Sequence, residues 1–200
     1  MVKDKKTTKP DHLLKEHPVT YEIYAKLPDD GTRYEINNGQ LEAMTPGSSV
    51  VHQLVVKKIL HCIDRDCLNE YVVIPAPFDL ILSVTEVRQP DLVMIHRTRL
   101  EIITRRGIEG PPDLVVEVLS PHSAKRDRQQ KLHAYAKYTI PEYWIVDINN
   151  ELLEQYLLEG DQYCLSEIYK EDEPVSSTRL ACISFTMQEI IDSIPELPNF

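Results

Sequence analysis

Two carboxylates stand where the surrounding pattern calls for apolar side chains. Glu117 interrupts DLVVEVLS (113–120), a run that is otherwise apolar on both faces, and Asp91 opens DLVMI directly after Pro90. A carboxylate in a covered strand must find a cation, a hydrogen bond or a proton. Two chemistries meet that need. One is an ion pair with Lys or Arg of the segment that follows. The other is a set of hard oxygen ligands for Mg²⁺ or Mn²⁺ on the rim of a sheet. The segment after the Glu117 strand carries Lys125, Arg126, Arg128 and Lys131. If it is helical, Arg128 and Lys131 are three apart and share a face. A lysine beside two metal-bound carboxylates could orient the attacking water or steady charge growing on a phosphorus. An exposed helical lysine merely faces solvent, and spacing alone leaves both open.

Glu35 is the third acid of interest. In RYEINNGQLEAM (33–44), Asn38-Gly39 between two alternating stretches reads as a two-residue type I′ hairpin. That register sets Glu35 opposite Glu42, where like charges repel unless a cation intervenes. Arg33, two along on the same face, could be that cation, and so could a metal; two exposed glutamates are the plain alternative. His52, in the first turn of the next helix, could bind metal, touch a phosphate or cap a neighbour. Asp79, on an apolar strand, could join the acids or cap a loop. There is no Walker lysine loop, no G-x-G-x-x-G, no G-x-S-x-G and no H-E-x-x-H.

The elements that must position these residues follow from the pattern. Thr20 caps a short helix ended by Pro28. The hairpin follows, and Thr45–Ser49 is a loop ending in a helix cap. Val51, Val55, Val56, Ile59, Leu60 and Ile63 then mark an amphipathic helix over 50–68. Residues 71–82 read as one strand, with Pro75 and Pro77 arguing for a bulge or an edge. The Asp91 strand, a basic connection over 97–112, the central Glu117 strand and a helix over 124–138 come next. Strands at 142–148, 152–158 and 163–169 follow, then a further strand within 175–184 and a closing helix at 186–194. Trp144 and Tyr143 read as core. The expected fold is α/β, a mixed β-sheet flanked by helices with an N-terminal β-hairpin. Residues 1–18 are expected to be a flexible segment, 19–194 one domain and 195–200 a tail.

Two hundred residues suffice for a core without staples. No window approaches eighteen apolar residues, which excludes a membrane-spanning helix. Cys62, Cys67, Cys164 and Cys182 form no C-x-x-C pair and are too scattered for a disulfide framework, so a reducing cytoplasm is the expected setting. The formal charge of −10 argues against a nonspecific nucleic-acid coat. It is unevenly spread, however. Arg97 to Lys137 holds nine Lys/Arg against five Asp/Glu, whereas Glu142 to Glu173 holds ten Asp/Glu against one Lys. A polyanion responds to that asymmetry more than to the total.

RYEINNGQLEAMTPGS, His52, RQPDLVMI and GPPDLVVEVLSPHSAKRDRQQKLHAYAKYTIPEYWIVD together resemble the Uma-type "putative restriction endonuclease" family of the PD-(D/E)XK nuclease-like superfamily. The resemblance spans roughly residues 20–170. It implies a restriction-endonuclease-like core and a metal-dependent DNA endonuclease using Mg²⁺ or Mn²⁺. It implies Asp91, Glu117 and Glu35 as metal ligands, together with the carbonyl of residue 118. The superfamily pattern places a lysine two residues after the second acid, where this chain has Leu119. The resemblance therefore implies a lysine supplied by the next helix, Lys131 with Lys125 as the alternative, so that Asp91, Glu117, Lys131 and Glu35 form the catalytic set. Arg128, Lys125, Arg126 and His52 become candidate phosphate contacts, and a homodimer acting on DNA is implied. Leu119 and the charge of −10 keep a second function open, an inactive nuclease-like fold that binds nucleic acid or protein. A third is a structural dimer whose buried acids are merely ion-paired.

Overall fold

The computed structural model describes residues 17–28, 31–44, 49–120 and 124–197. Most of the expected N-terminal segment, most of the expected loop after Met44, and residues 29–30, 121–123 and 198–200 lie outside the described residues. Element order begins with α1 (Tyr21–Tyr24), β1 (Tyr34–Asn37), β2 (Gln40–Ala43), α2 (Val50–Cys67) and β3 (Tyr71–Pro75). It continues with β4 (Leu80–Ser83), β5 (Glu86–Arg88), β6 (Leu92–His96), a 3₁₀ turn (Arg97–Ile102), β7 (Ile108–Glu109) and β8 (Leu114–Val118). The crossover after β8 is α3 (Ala124–Arg126), a π-helical turn (Asp127–Lys131) and α4 (Leu132–Lys137). Then come β9 (Glu142–Asp147), β10 (Leu152–Glu159), β11 (Gln162–Lys170), β12 (Pro174–Val175), β13 (Phe185–Thr186) and α5 (Met187–Ile191).

The strands form a six-stranded sheet in the order β11-β10-β9-β8-β6-β3 and a five-stranded sheet in the order β2-β1-β5-β4-β7, with β12 and β13 as a separate pair. β8 and β9 run parallel, as a strand–helix–strand unit requires, and their neighbours are antiparallel. Strand alternation divides the core into two layers. Leu114, Val116 and Val118 of β8 pack with α2 and α5, whereas Val115 and Leu119 pack with Tyr135, Tyr143 and Ile145. Glu117 shares the second face by period two. One step beyond the Leu92–Val116 pair, the antiparallel register carries Asp91 opposite Glu117. The acids that disturb the apolar pattern thus meet at one end of the central strands.

Several expectations change. The 71–82 strand is two strands in different sheets, because the stretch with Pro75 and Pro77 has too few N–H donors to continue a ladder. Residues 176–184 are not strand. There Ser177 Oγ accepts from the N–H groups of Arg179 and Leu180 and turns the chain. The cysteines are not all free: Cys67 and Cys182 form a disulfide between the end of α2 and the segment before β13, leaving Cys62 and Cys164 as thiols. A separation of 115 residues gave no sequence signal for that bond. The hairpin keeps the expected register, Glu35 opposite Glu42, with Asn38 and Gly39 both at positive φ. Glu35 is not solvent-exposed, however, because Lys131 of the crossover packs against it at 3.6 Å.

Candidate active site

The site is built where β8, the crossover helix and the β1–β5 ladder converge. Lys131 is fully buried and donates to Glu117 Oε1 at 2.7 Å. Its Nζ also lies 3.5 Å from Asp127 Oδ1 and 3.6 Å from Glu35 Oε1. The Tyr135 hydroxyl donates a second bond to Glu117 Oε1 at 2.8 Å. Glu35 accepts from the Gln89 N–H at 2.9 Å and faces Arg88 Nη1 at 3.6 Å. Arg88 Nε donates to Glu86 Oε1 at 2.7 Å, and the other Glu86 oxygen takes the Asn38 N–H at the hairpin turn. Four carboxylates, Glu35, Glu86, Glu117 and Asp127, are thus buried with two fully buried cations, Lys131 and Arg88. Half-buried Arg126 adds a third positive charge close enough to act on Glu35.

Asp91 forms the open edge of this cluster. Its carboxylate retains 18% exposure, and its Oδ2 accepts the Val118 N–H at 2.8 Å. His52 Nε2 lies 3.1 Å from the same Oδ2 and 2.9 Å from the Val118 carbonyl oxygen. Ser49 Oγ accepts the His52 N–H and caps α2, which fixes the turn that carries the ring.

The shortage of cations shows in the protonation equilibria. Burial pushes the Glu117 carboxyl up to about 8; Lys131 pulls it back, while Asp127 and Asp91 push further in the same direction. Burial would also raise Glu35, but the charges of Lys131 and Arg88 and the Gln89 N–H hold it below the ordinary carboxylate range. Burial alone would lower Lys131, yet Glu117, Glu35 and Asp127 outweigh it and keep the ammonium charged. For His52, burial works downward, and the Asp91 carboxylate and Val118 carbonyl prevail and raise it.

Asp91, Glu117, Lys131 and Glu35, singled out from sequence, therefore meet in one cluster. The partner of Glu35 is Arg88, not Arg33, which donates instead to Gln89 Oε1 at 2.7 Å. Arg128 and Lys131 do not share a face. The wider i→i+5 turn over Asp127–Lys131 separates them, and Arg128 pairs with Asp147 at 3.0 Å and Glu154 at 2.7 Å. As a phosphate contact Arg128 is already neutralised. His52, at 4% exposure, is buried against backbone and does not present its ring to a phosphate. Arg126 remains as a half-buried candidate; the Lys125 side chain lies outside the described residues. Sequence reading missed Glu86, Arg88 and Gln89, although Glu-Val-Arg immediately before Gln-Pro-Asp is itself an alternating charged strand. It also missed Asp127, four residues before Lys131 on the same crossover.

Among the described residues, no three His, Cys, Asp or Glu side chains converge as a ready-made metal cage. The donors at the open edge are oxygens, the hard type that a divalent cation takes. Asp91 Oδ2 and the Val118 carbonyl oxygen both face His52 Nε2, at 3.1 and 2.9 Å, and the strand register sets Asp91 opposite Glu117. Such a cation would sit at Asp91, Glu117 and Val118, where the surplus of negative charge lies.

The profile of a family described as "Uma2: Putative restriction endonuclease" matches residues 21–188. The chain belongs to that family. The fold of this Uma2 member is also similar to a crystal structure of a "putative nuclease belonging to DUF820" from Anabaena variabilis ATCC 29413. The TM-score is 0.72 at 16% identity, over 88% of this chain and 99% of that one. The restriction-endonuclease-like α/β fold expected from sequence is thereby established. Among curated proteins none matches this chain.

Proposed function

We propose that this Uma2 protein is a divalent-metal-dependent DNA endonuclease that hydrolyses phosphodiester bonds at the Asp91–Glu117–Lys131 cluster. The observation that carries the reading is the excess of buried carboxylate over cation beside Asp91, which keeps 18% exposure among the described residues. Asp91, Glu117 and the Val118 carbonyl would hold Mg²⁺ or Mn²⁺. The bound ion would supply a water of lowered pKa and polarise the scissile phosphate.

The chain's own groups do the rest. Lys131, kept protonated by three carboxylates, would act on the phosphoryl group from its buried position, its field steadying negative charge as that charge builds. Glu35 and Asp127 hold that ammonium in place from two other sides, so we assign Glu35 to positioning Lys131 and give it no direct place among the metal ligands. Tyr135 fixes the Glu117 carboxylate by its hydroxyl. Arg126 is the nearest candidate for a neighbouring phosphate. We take the acting unit to be the domain over 19–194, working as a homodimer on duplex DNA. Two-fold pairing is the common route by which a nuclease reaches both strands.

A second reading has its own support. Lys131 already satisfies Glu117 at 2.7 Å and Leu119 replaces the usual lysine, as in an ion-paired fold that binds without cutting. Calorimetric titration of the metal-stripped chain with Mg²⁺ and Mn²⁺, with Asp91→Ala in parallel, separates the two. Binding that vanishes in Asp91→Ala, followed by metal-dependent cleavage of plasmid or single-stranded DNA, is the expected result. Absence of binding at millimolar metal, with and without DNA, overturns the endonuclease reading.

A further inference from the structure

The basic stretch that ends at Lys137 is only partly used by the proposed reaction. Arg128 is neutralised by Asp147 and Glu154, and Lys131 is buried within the acid cluster. Lys137, the last residue of α4, is exposed and pairs with no carboxylate among the described residues. Its ammonium donates to Asn38 Oδ1 at 3.2 Å, reaching from the crossover to the hairpin turn, and lies 5.3 Å from the centre of the Tyr138 ring.

Between the crossover and that turn is a cavity of about 160 Å³, with Asn37, Asn38 and Glu86 on one side and Gln130, His133 and Lys137 on the other. A single water needs only about 15 Å³, so the cavity admits a polar group of several heavy atoms. The Gln130 and His133 side chains are exposed and make no hydrogen bond among the described residues. Glu86, the one acid of the lining, is already engaged. Its Oε1 accepts from Arg88 Nε at 2.7 Å, and its Oε2 accepts the Asn38 N–H at 2.9 Å. The second bond also holds Asn38, at φ 47°, so that its amide faces the ammonium. An ammonium, an imidazole and a side-chain amide, beside a carboxylate whose charge is answered by arginine, suit an anion whose oxygens accept several bonds. Lysine, asparagine and glutamine are common partners of phosphate oxygens.

We propose that this cavity holds a phosphate group, contacted by Lys137 with Gln130 and His133 beside it. Where that phosphate belongs to the DNA backbone, the inference rests on the endonuclease reading and adds a contact that fixes the duplex in place without reading its sequence. Six residues of helix separate Lys131 from Lys137, a rise of about 9 Å. Phosphates of one strand of B-DNA succeed one another every 3.4 Å or so along the axis, which sets the cavity roughly three phosphates from the one on which Lys131 acts.

The test uses the full chain, in EDTA and again in Mg²⁺. Fluorescence anisotropy with a labelled duplex, over a range of NaCl concentrations, compares wild type, Lys137→Gln, Lys137→Arg and Lys170→Gln, the last an exposed lysine of β11. Removing one phosphate contact lowers the slope of log affinity against log salt by about 0.9, a loss of about eightfold at 0.1 M salt. Lys137→Gln should show that loss and that slope on any duplex sequence, Lys137→Arg should restore both, and Lys170→Gln should match wild type. Calorimetry with inorganic phosphate distinguishes the other source. Submillimolar binding that Lys137→Gln abolishes, with the DNA slope unchanged, assigns the cavity to free phosphate. An unchanged slope in Lys137→Gln together with no binding of inorganic phosphate overturns the proposal and leaves the endonuclease reading standing. An equal loss in Lys170→Gln also overturns it, because the effect is then one of net charge. Wild type that binds inorganic phosphate through Lys137 but no DNA in either condition keeps the cavity and defeats the endonuclease reading; binding of neither defeats both.

Discussion

Replacing Lys131 by Met removes one charge while keeping nearly the same length of side chain in a fully buried position. Three carboxylates then lose their common counter-charge: Glu117 at 2.7 Å, Asp127 at 3.5 Å and Glu35 at 3.6 Å. Glu117 would retain the Tyr135 hydroxyl, and Glu35 the Gln89 N–H and Arg88, but Asp127 Oδ1 has no hydrogen bond to fall back on. Removing one partner of a buried ion pair costs about 3–5 kcal/mol, because the other charge is left uncompensated. For a chain of this size that is a fall in Tm of about 6–20 °C, at about 2–4 °C per kcal/mol. Urea unfolding followed by Trp144, the single tryptophan and fully buried, measures the loss. The double variant Lys131→Met, Glu117→Gln should recover at least half of it, since removing both charges of a buried pair approaches neutrality. The loss should also shrink towards pH 5, where the abandoned carboxylates can take up protons. A Lys131→Met variant within about 1 kcal/mol of wild type at pH 8 would refute the picture of a buried cluster short of cations.

Three further outcomes follow from the same structure. Because burial raises the Glu117 pKa to about 8, its contribution to stability is fully present below the unfolded value of about 4.3 and is lost as pH rises through 8. Metal-free Glu117→Gln should therefore gain on wild type across that window by up to about 1.4 kcal/mol per pH unit; a difference independent of pH in urea titrations would contradict the assignment. Denatured, unreduced protein should show two reactive thiols, Cys62 and Cys164, and Cys67→Ala with Cys182→Ala should cost about 5 kcal/mol for the 115-residue closure. Four thiols would remove the cross-link and leave the reducing setting expected from cysteine usage unopposed. Arg128→Met should cost only about 1 kcal/mol, because the pair is partly exposed, and should leave DNA affinity unchanged in a fluorescence anisotropy titration. A clear loss of affinity would restore Arg128 as a phosphate contact.

What could be read from the sequence was what depends on neighbours along the chain. Asn38-Gly39 dictates its own turn, and the pairing of Glu35 with Glu42 follows by counting. Glu117 stood out because alternation along one strand makes a misplaced charge visible, whereas Lys131 rested on the family resemblance, since spacing alone left it open as a solvent-facing lysine. What could not be read depends on distant partners. β5 becomes visible only when β1 and β4 flank it, so Arg88 went unnoticed as the partner of Glu35. The contact of His52 with the Val118 carbonyl joins residues 66 apart. The π turn defeated simple helical counting: three residues do not return to the same face when a turn holds an extra residue, and Arg128 was aimed at Asp147 and Glu154 instead.

The arrangement around Lys131 bears on whether the cluster exists for stability alone. Buried ion pairs can usually be replaced by apolar side chains of similar volume with no loss, so a purely structural role gives no reason to assemble four buried acids around two fully buried cations. The surplus is also not uniform. Glu86 and Glu35 share Arg88 beneath the hairpin, whereas Glu117 and Asp127 rely on the ammonium of Lys131, which Glu35 also approaches, and Asp91 adds its charge at the edge that meets solvent. Leu119 leaves that edge without the lysine a strand position would supply, and the π turn brings Lys131 in from the crossover. π turns inside α-helices occur frequently at functional sites. A fold seeking only stability would bury fewer charges; a fold built to meet an incoming cation would concentrate its deficit of positive charge beside an exposed carboxylate, as it stands beside Asp91 among the described residues.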